Sequence, residues 1–116
     1  MGLARTRGVA GEAVAAAYFE LLGCEVVARN ARMSGVEVDL VVSDGPIRVL
    51  IEVKFRGRSD YGGAALAVDH VKRERLLKAA RALAAERAGP VRIDVVAVEL
   101  SSDGLMLRHY RNAVTE

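Results

Sequence analysis

The chain has no tryptophan, one cysteine, two prolines, two phenylalanines and three tyrosines in 116 residues. Each scarcity excludes something. Cys24 alone allows neither a disulfide framework nor a cysteine-ligated zinc site. Tyr18, Phe19, Phe55, Tyr61 and Tyr110 are scattered along the chain, so no aromatic platform for stacking unpaired bases is expected. No apolar run approaches the ~20 residues that cross a bilayer. The opening stretch Met1 to Arg7 lacks the apolar core of a secretion signal. No membrane partner is expected, and a cytoplasmic location follows as the default.

What is present describes a globular domain. Hydrophobic residues make up 52% of the sequence, enough to build one core over residues 1–116 without staples. The formal net charge is only +2, but 14 of the 17 cationic residues are arginine. Guanidinium suits forked contacts with phosphate, although arginine-favouring codon usage would give the same excess. Cations concentrate around Lys54, Arg56 and Arg58, and again from Lys72 to Lys78.

Punctuation and periodicity divide the chain. Gly8 to Leu22 reads as an alanine-rich helix closed by Gly23. Glu25 to Asn30 reads as a short strand. Val36 to Val42 and Ile47 to Phe55 read as a hairpin around Asp44-Gly45-Pro46. A glycine-bearing loop, Gly57 to Gly63, leads to a helix from Val68 to Ala88, stopped by Gly89-Pro90. Val91 to Leu100 and Leu105 to Tyr110 are the last strands. The predicted order is α-β-β-β-α-β-β, an α/β domain with a central mixed β-sheet flanked by helices.

The hairpin carries the candidate chemistry. Alternation puts Val36, Val38, Leu40 and Val42 on one face of its first strand, with Glu37 and Asp39 on the other. On the second strand Ile47, Val49, Ile51, Val53 and Phe55 share a face, opposite Arg48, Glu52, Lys54 and Arg56. If both apolar faces meet one core, Asp39 lies opposite Glu52 or one diagonal step away. Two carboxylates beside a lysine suit phosphodiester hydrolysis. Asp39 and Glu52, with the Val53 carbonyl, would offer hard oxygen ligands to Mg²⁺ (or Mn²⁺), and Lys54 would position the nucleophile or stabilise charge on phosphate. The competing reading is a solvated strand face laced with acid–lysine pairs.

Glu12 is a third acid. Val9, Ala16 and Phe19 lie at helical spacings from it, so it falls on the stripe expected to face the core, where a carboxylate needs a partner or a metal. A first-turn acid facing water is the alternative. On the second helix Leu76, Leu77, Ala80, Leu83 and Ala84 form the apolar stripe, opposite Glu74, Arg75, Lys78, Arg81 and Glu86. Lys72, at the stripe's edge, can lean toward the sheet, and with Arg56 it is a candidate nucleic-acid contact. Glu37 reads as an outer acid or a surface residue. His70 and His109 read as incidental, and Cys24 as a small core residue.

Gly11-Glu12 with Ala16, Asn30-x-Arg32, Glu37-Val38-Asp39-Leu40-Val41, Glu52-Val53-Lys54-x-Arg56, Tyr61 to Ala65, Lys72 and Arg92-x-Asp94-Val95-Val96 follow one another as in the YraN family, which the chain resembles over nearly its whole length. It departs from that family's usual pattern at Val36, where glycine is common, and at Phe55, where threonine is common. Neither is a candidate ligand. The resemblance implies a PD-(D/E)xK nuclease-like domain with a restriction-endonuclease-like fold, related to the Holliday junction resolvases of archaea. It implies Glu12, Asp39, Glu52 and Lys54 as the catalytic set, Glu12, Asp39 and Glu52 as metal ligands, and action as a homodimer on DNA, branched DNA in particular. Two other functions fit the same residues: a nucleic-acid-binding module without catalysis, and an interaction partner in DNA processing that uses its last strand.

Overall fold

Alternating β-branched residues give strands and the alanine- and leucine-rich segments give helices, as their propensities require. The computed structural model describes residues 3–56 and 69–116, and the side chains of 9–55 and 69–116. The elements are α1 (Leu3–Leu21), β1 (Glu25–Met33), β2 (Val36–Asp44), β3 (Ile47–Arg56), α2 (His70–Arg87), β4 (Val91–Ser101) and β5 (Gly104–Tyr110). This is the predicted α-β-β-β-α-β-β order. The first helix begins five residues earlier than its composition indicates, and β1 runs on to Met33 instead of ending at Asn30. The loop expected from Gly57 to Gly63 lies outside the described residues.

Local chemistry sets the helix ends. At the end of α1, Gly23 takes φ 89°, Gly23 N–H donates to Glu20 O and Cys24 N–H to Phe19 O, which closes two of the last free carbonyls. The second helix starts at His70 because Asp69 caps it, its carboxylate accepting from Lys72 N–H at 2.8 Å. It stops where Ala88 turns left-handed ahead of Gly89-Pro90.

The five strands lie in sequence order, β1 to β5. β1–β2, β2–β3 and β4–β5 are antiparallel, whereas β3 and β4 run parallel after the crossover through α2. The sheet is therefore mixed, with β3 central. Helix α1 covers one face: Ala15, Ala16 and Phe19 pack with Leu40, Val42, Val49, Ile51, Val96 and Val98. Helix α2 covers the other: Leu76, Leu77 and Ala79 pack with Val36, Val38, Val41, Leu50 and Ile93. Strand β4 is buried from Ile93 to Val98, covered on both faces, with Asp94 as the one charged residue in an otherwise apolar run.

One expectation about the faces is overturned. Val36 and Val38 do not share a face with Leu40 and Val42; the first two join the α2 core and the last two the α1 core. The alternation breaks at Asp39. Opposite it Asn30 takes φ 50°, a left-handed conformation that asparagine tolerates, and the β1–β2 register resumes at Ala31↔Val38.

Helix α1 lies close against β3 at Gly11, where an added Cβ would meet Phe55 Cδ2 at 3.0 Å. We expect Gly11→Leu to lower unfolding free energy by about 1–3 kcal/mol through overpacking. Gly11→Ala should be milder, because its gain in helix propensity offsets the contact. Urea denaturation measures both, and a leucine variant as stable as the parent would disprove the close approach.

Candidate metal-binding acid pair

The break at Asp39 creates the site. Strands β2 and β3 are paired from Asp44↔Ile47 to Leu40↔Ile51, and the recorded pairing goes no further. Beyond that point Val53 N–H has no β2 carbonyl to meet, and the Asp39 carboxylate takes its place, accepting at 2.8 Å through Oδ2. Asp39 is thereby fixed beside β3, where Glu52 projects toward α2.

Glu52 is only 9% exposed, although it carries a carboxylate. Its Oε2 is buried and receives no hydrogen bond. The Lys72 ammonium lies 3.3 Å from that oxygen but without the alignment a hydrogen bond needs, so the contact is ionic. Lys72 thus leans from the first turn of α2 toward the sheet, as its place at the edge of the apolar stripe indicates.

Both carboxyls are held above their ordinary pKa. For Glu52, burial is the main cause and repulsion from Asp39 adds to it, against the attraction of Lys72 and Lys54. For Asp39, burial again leads, opposed by the Val53 N–H bond and Lys72, with Glu37 adding repulsion. Two acids pressed together out of water form a site whose charge is under-compensated.

Glu12 is half-buried on α1, and Ala16 and Phe19 below it are fully buried as expected. Val9 is not: it is 63% exposed, so the buried stripe of α1 starts a turn later than its spacing implies. Burial, then repulsion from Asp39, raise the Glu12 pKa against a hydrogen bond from the Asn30 side chain. Asn30 therefore has two tasks that its motif position alone does not reveal, turning β1 and orienting Glu12.

Not every candidate joins this site. Glu37 is exposed and faces Arg32 at 3.9 Å, a surface pair of little energetic weight. Lys54 is near enough to attract Glu52 electrostatically. The Arg56 side chain lies outside the described ones. Among the described residues no group of three or more His, Cys, Asp or Glu side chains closes into a metal cage. Asp39 and Glu52 stand as a pair, with Glu12 near enough to Asp39 to be repelled by it. A pair still fits Mg²⁺, which is commonly held by one or two carboxylates together with waters and substrate phosphate.

On the α1 face of the sheet, where Asp94 pairs with Ile51 next to Glu52, is a polar cluster whose tie the sequence concealed. Asp94 is fully buried on β4 and both its oxygens are doubly bonded. Oδ1 accepts from Arg92 Nε at 2.8 Å and Asn112 N–H at 2.9 Å. Oδ2 accepts from Arg92 at 3.0 Å and from His109 Nε2 at 2.7 Å. His109 Nδ1 lies 2.9 Å from the Tyr18 hydroxyl. His109 is therefore not incidental; it ties β5 to β4 and to α1. A strand pairing separated by fifteen positions is invisible to spacing rules. Cys24, half-buried against the α1 core, keeps the role expected of it.

The fold and this site define a class: an α/β protein with an acid pair where two strands part at the centre of a mixed sheet. The sequence profile of the Uncharacterised protein family UPF0102 matches residues 11–98. The UPF0102 protein of Halorhodospira halophila is 42% identical over 112 residues, covering 97% of this chain and 89% of the relative. Those of Geobacter sulfurreducens (41% identity, 91% and 86% covered) and Symbiobacterium thermophilum (38% identity, 96% and 98% covered) are similar over comparable spans. The chain belongs to the UPF0102 family, also called the YraN family.

Proposed function

We propose that this protein is a metal-dependent nuclease that hydrolyses phosphodiester bonds in DNA, with branched DNA as the substrate to test first. The observation that carries this reading is the buried Glu52 Oε2, without a hydrogen bond, beside an Asp39 carboxylate locked in place by Val53 N–H. Two buried carboxylates sharing one nearby ammonium are under-compensated, and a divalent cation relieves that cost for both acids at once. Asp39, Glu52 and the Val53 carbonyl would hold Mg²⁺ or Mn²⁺. The bound ion supplies an acidified water and neutralises charge on the scissile phosphate.

The chain's own groups do the rest. Val53 N–H and the start of the β2–β3 split fix Asp39 before any ligand arrives. Lys54, on the same strand as Glu52, is placed to stabilise charge on a phosphate oxygen or to hold the attacking water. Glu12, steadied by Asn30, contributes a further negative group near Asp39. Lys72 and Arg56 are the proposed phosphate contacts.

The experiment is cleavage of duplex, single-stranded, flapped and four-way-junction DNA with Mg²⁺, Mn²⁺ or EDTA, with Glu52→Gln alongside. Cutting by the parent alone, and only with metal, is the expected result. Equal trace cutting by both proteins would identify a contaminant and remove the reading. Salt-sensitive binding without cutting would favour the binding module instead. The same preparations, run by sedimentation, test the proposed homodimer.

A further inference from the structure

We propose that Lys72 is the resident cation of the acid pair, an ammonium that a divalent metal must displace before it can reach Glu52. This inference rests on the reading of Asp39 and Glu52 as a cation site. It adds what occupies that site beforehand and what happens to the occupant.

The geometry supplies the argument. Glu52 Oε2 has no exposed surface, and the Lys72 ammonium covers it at 3.3 Å. One oxygen so enclosed has room for one cation at a time. Lys72 also attracts Asp39, so a single ammonium serves both carboxylates. The ammonium sits at 3.3 Å and outside good hydrogen-bond alignment with Oε2, so the pairing is chiefly electrostatic. A loosely aligned ammonium partner is a weaker partner for hard oxygen than a divalent cation.

The lysine is also built to leave. Its backbone is fixed, because Asp69 caps the helix at Lys72 N–H. Its side chain is 34% exposed, against 12% for that of Glu52, so a rotation of the four-carbon stem carries the charge into water without disturbing α2. The freed ammonium stays at the rim of the acid pair. From there it can meet a phosphate oxygen of an incoming phosphodiester. Metal entry and phosphate binding then favour one another, and linkage makes the effect reciprocal.

The test compares Mn²⁺ binding by calorimetry to the full-length parent, Lys72→Met and Asp39→Asn. It is paired with reductive methylation of Lys72 in the parent, with and without Mn²⁺, read by mass spectrometry. Lys72→Met is expected to bind Mn²⁺ about tenfold more tightly, within the usual range of a coupling between two ligands. Lys72 in the parent is expected to become more reactive as Mn²⁺ saturates, and Asp39→Asn to lose the binding. Equal or weaker binding by Lys72→Met would overturn the displacement while leaving the acid pair as a cation site. No binding by either folded protein would overturn the cation site and the displacement together. If Lys72→Met does not fold, methylation of the parent decides alone, and unchanged Lys72 reactivity at saturating Mn²⁺ rejects the proposal.

Discussion

Asp39→Asn should leave the sheet standing and lower metal-dependent cleavage by about 10³-fold or more, the scale of losing several kcal/mol of charge stabilisation. The asymmetry between two substitutions makes the expectation sharp. Asparagine keeps an oxygen that can accept from Val53 N–H, so the split between β2 and β3 stays closed. Alanine takes away the acceptor as well as the charge and leaves Val53 N–H unpaired, at a cost of about 1–3 kcal/mol. The two variants should therefore be equally inactive but differ in urea midpoint. In metal-free protein at neutral pH the asparagine variant should be at least as stable as the parent, because it relieves the repulsion that raises the Glu52 pKa. Cleavage by Asp39→Asn at the parental rate would end the assignment of this carboxylate to the chemistry.

Asp94→Ala is expected to be the most damaging single change to stability, about 3–5 kcal/mol, the range for breaking a buried ion pair from one side. It would leave Arg92, whose side chain is 13% exposed, with only the half-exposed Asp44 at 3.8 Å, and would unpair the Asn112 N–H and one nitrogen of His109. Acid titration gives a second signature. Burial pushes the Asp94 carboxyl up, but the hydrogen bonds from Arg92, Asn112 and His109 outweigh it, and the folded pKa lies below the ordinary 3.8. An acid with a lowered folded pKa contributes stability that is present above its unfolded pKa and lost as pH falls through the folded value. The parent should therefore lose stability from about pH 4 downward, partly through Asp94, and Asp94→Ala should lack that share of the slope. Equal stability of the two proteins at pH 7 in urea would show that the cluster is not a keystone.

The element order and the membership of the acid pair were legible in the sequence because both depend on local signals. Gly23, Asp44-Gly45-Pro46 and Gly89-Pro90 punctuate the chain, and alternation in β3 sets Glu52 and Lys54 on one side. What was not legible depends on departures from regularity. Strict alternation along β2 predicts Val38 and Leu40 on one face, and the structure separates them because Asn30 and Asp39 interrupt the ladder. The carboxylate reached the acid pair because its strand breaks there, whereas simple pairing would have placed it by register alone. His109 escaped notice for a different reason. Its partners are Asp94 on the neighbouring strand and Tyr18 on α1, and no spacing within β5 announces either.

The parallel pairing of β3 with β4 also bears on when the acid pair can be completed during synthesis. Glu12, Asp39, Glu52 and Lys54 all precede the crossover, yet the central strand that carries two of them finds its second neighbour only when Arg48 meets Val91 and Glu52 meets Val95. Pairings of such long range form late, after the intervening chain has been made. A nascent chain that ends before β4 has the complete set of acids, with β3 still an open strand edge. The strand that carries Glu52 and Lys54 would then gain its second neighbour only near the end of translation, once the later half of the chain has closed over the earlier one.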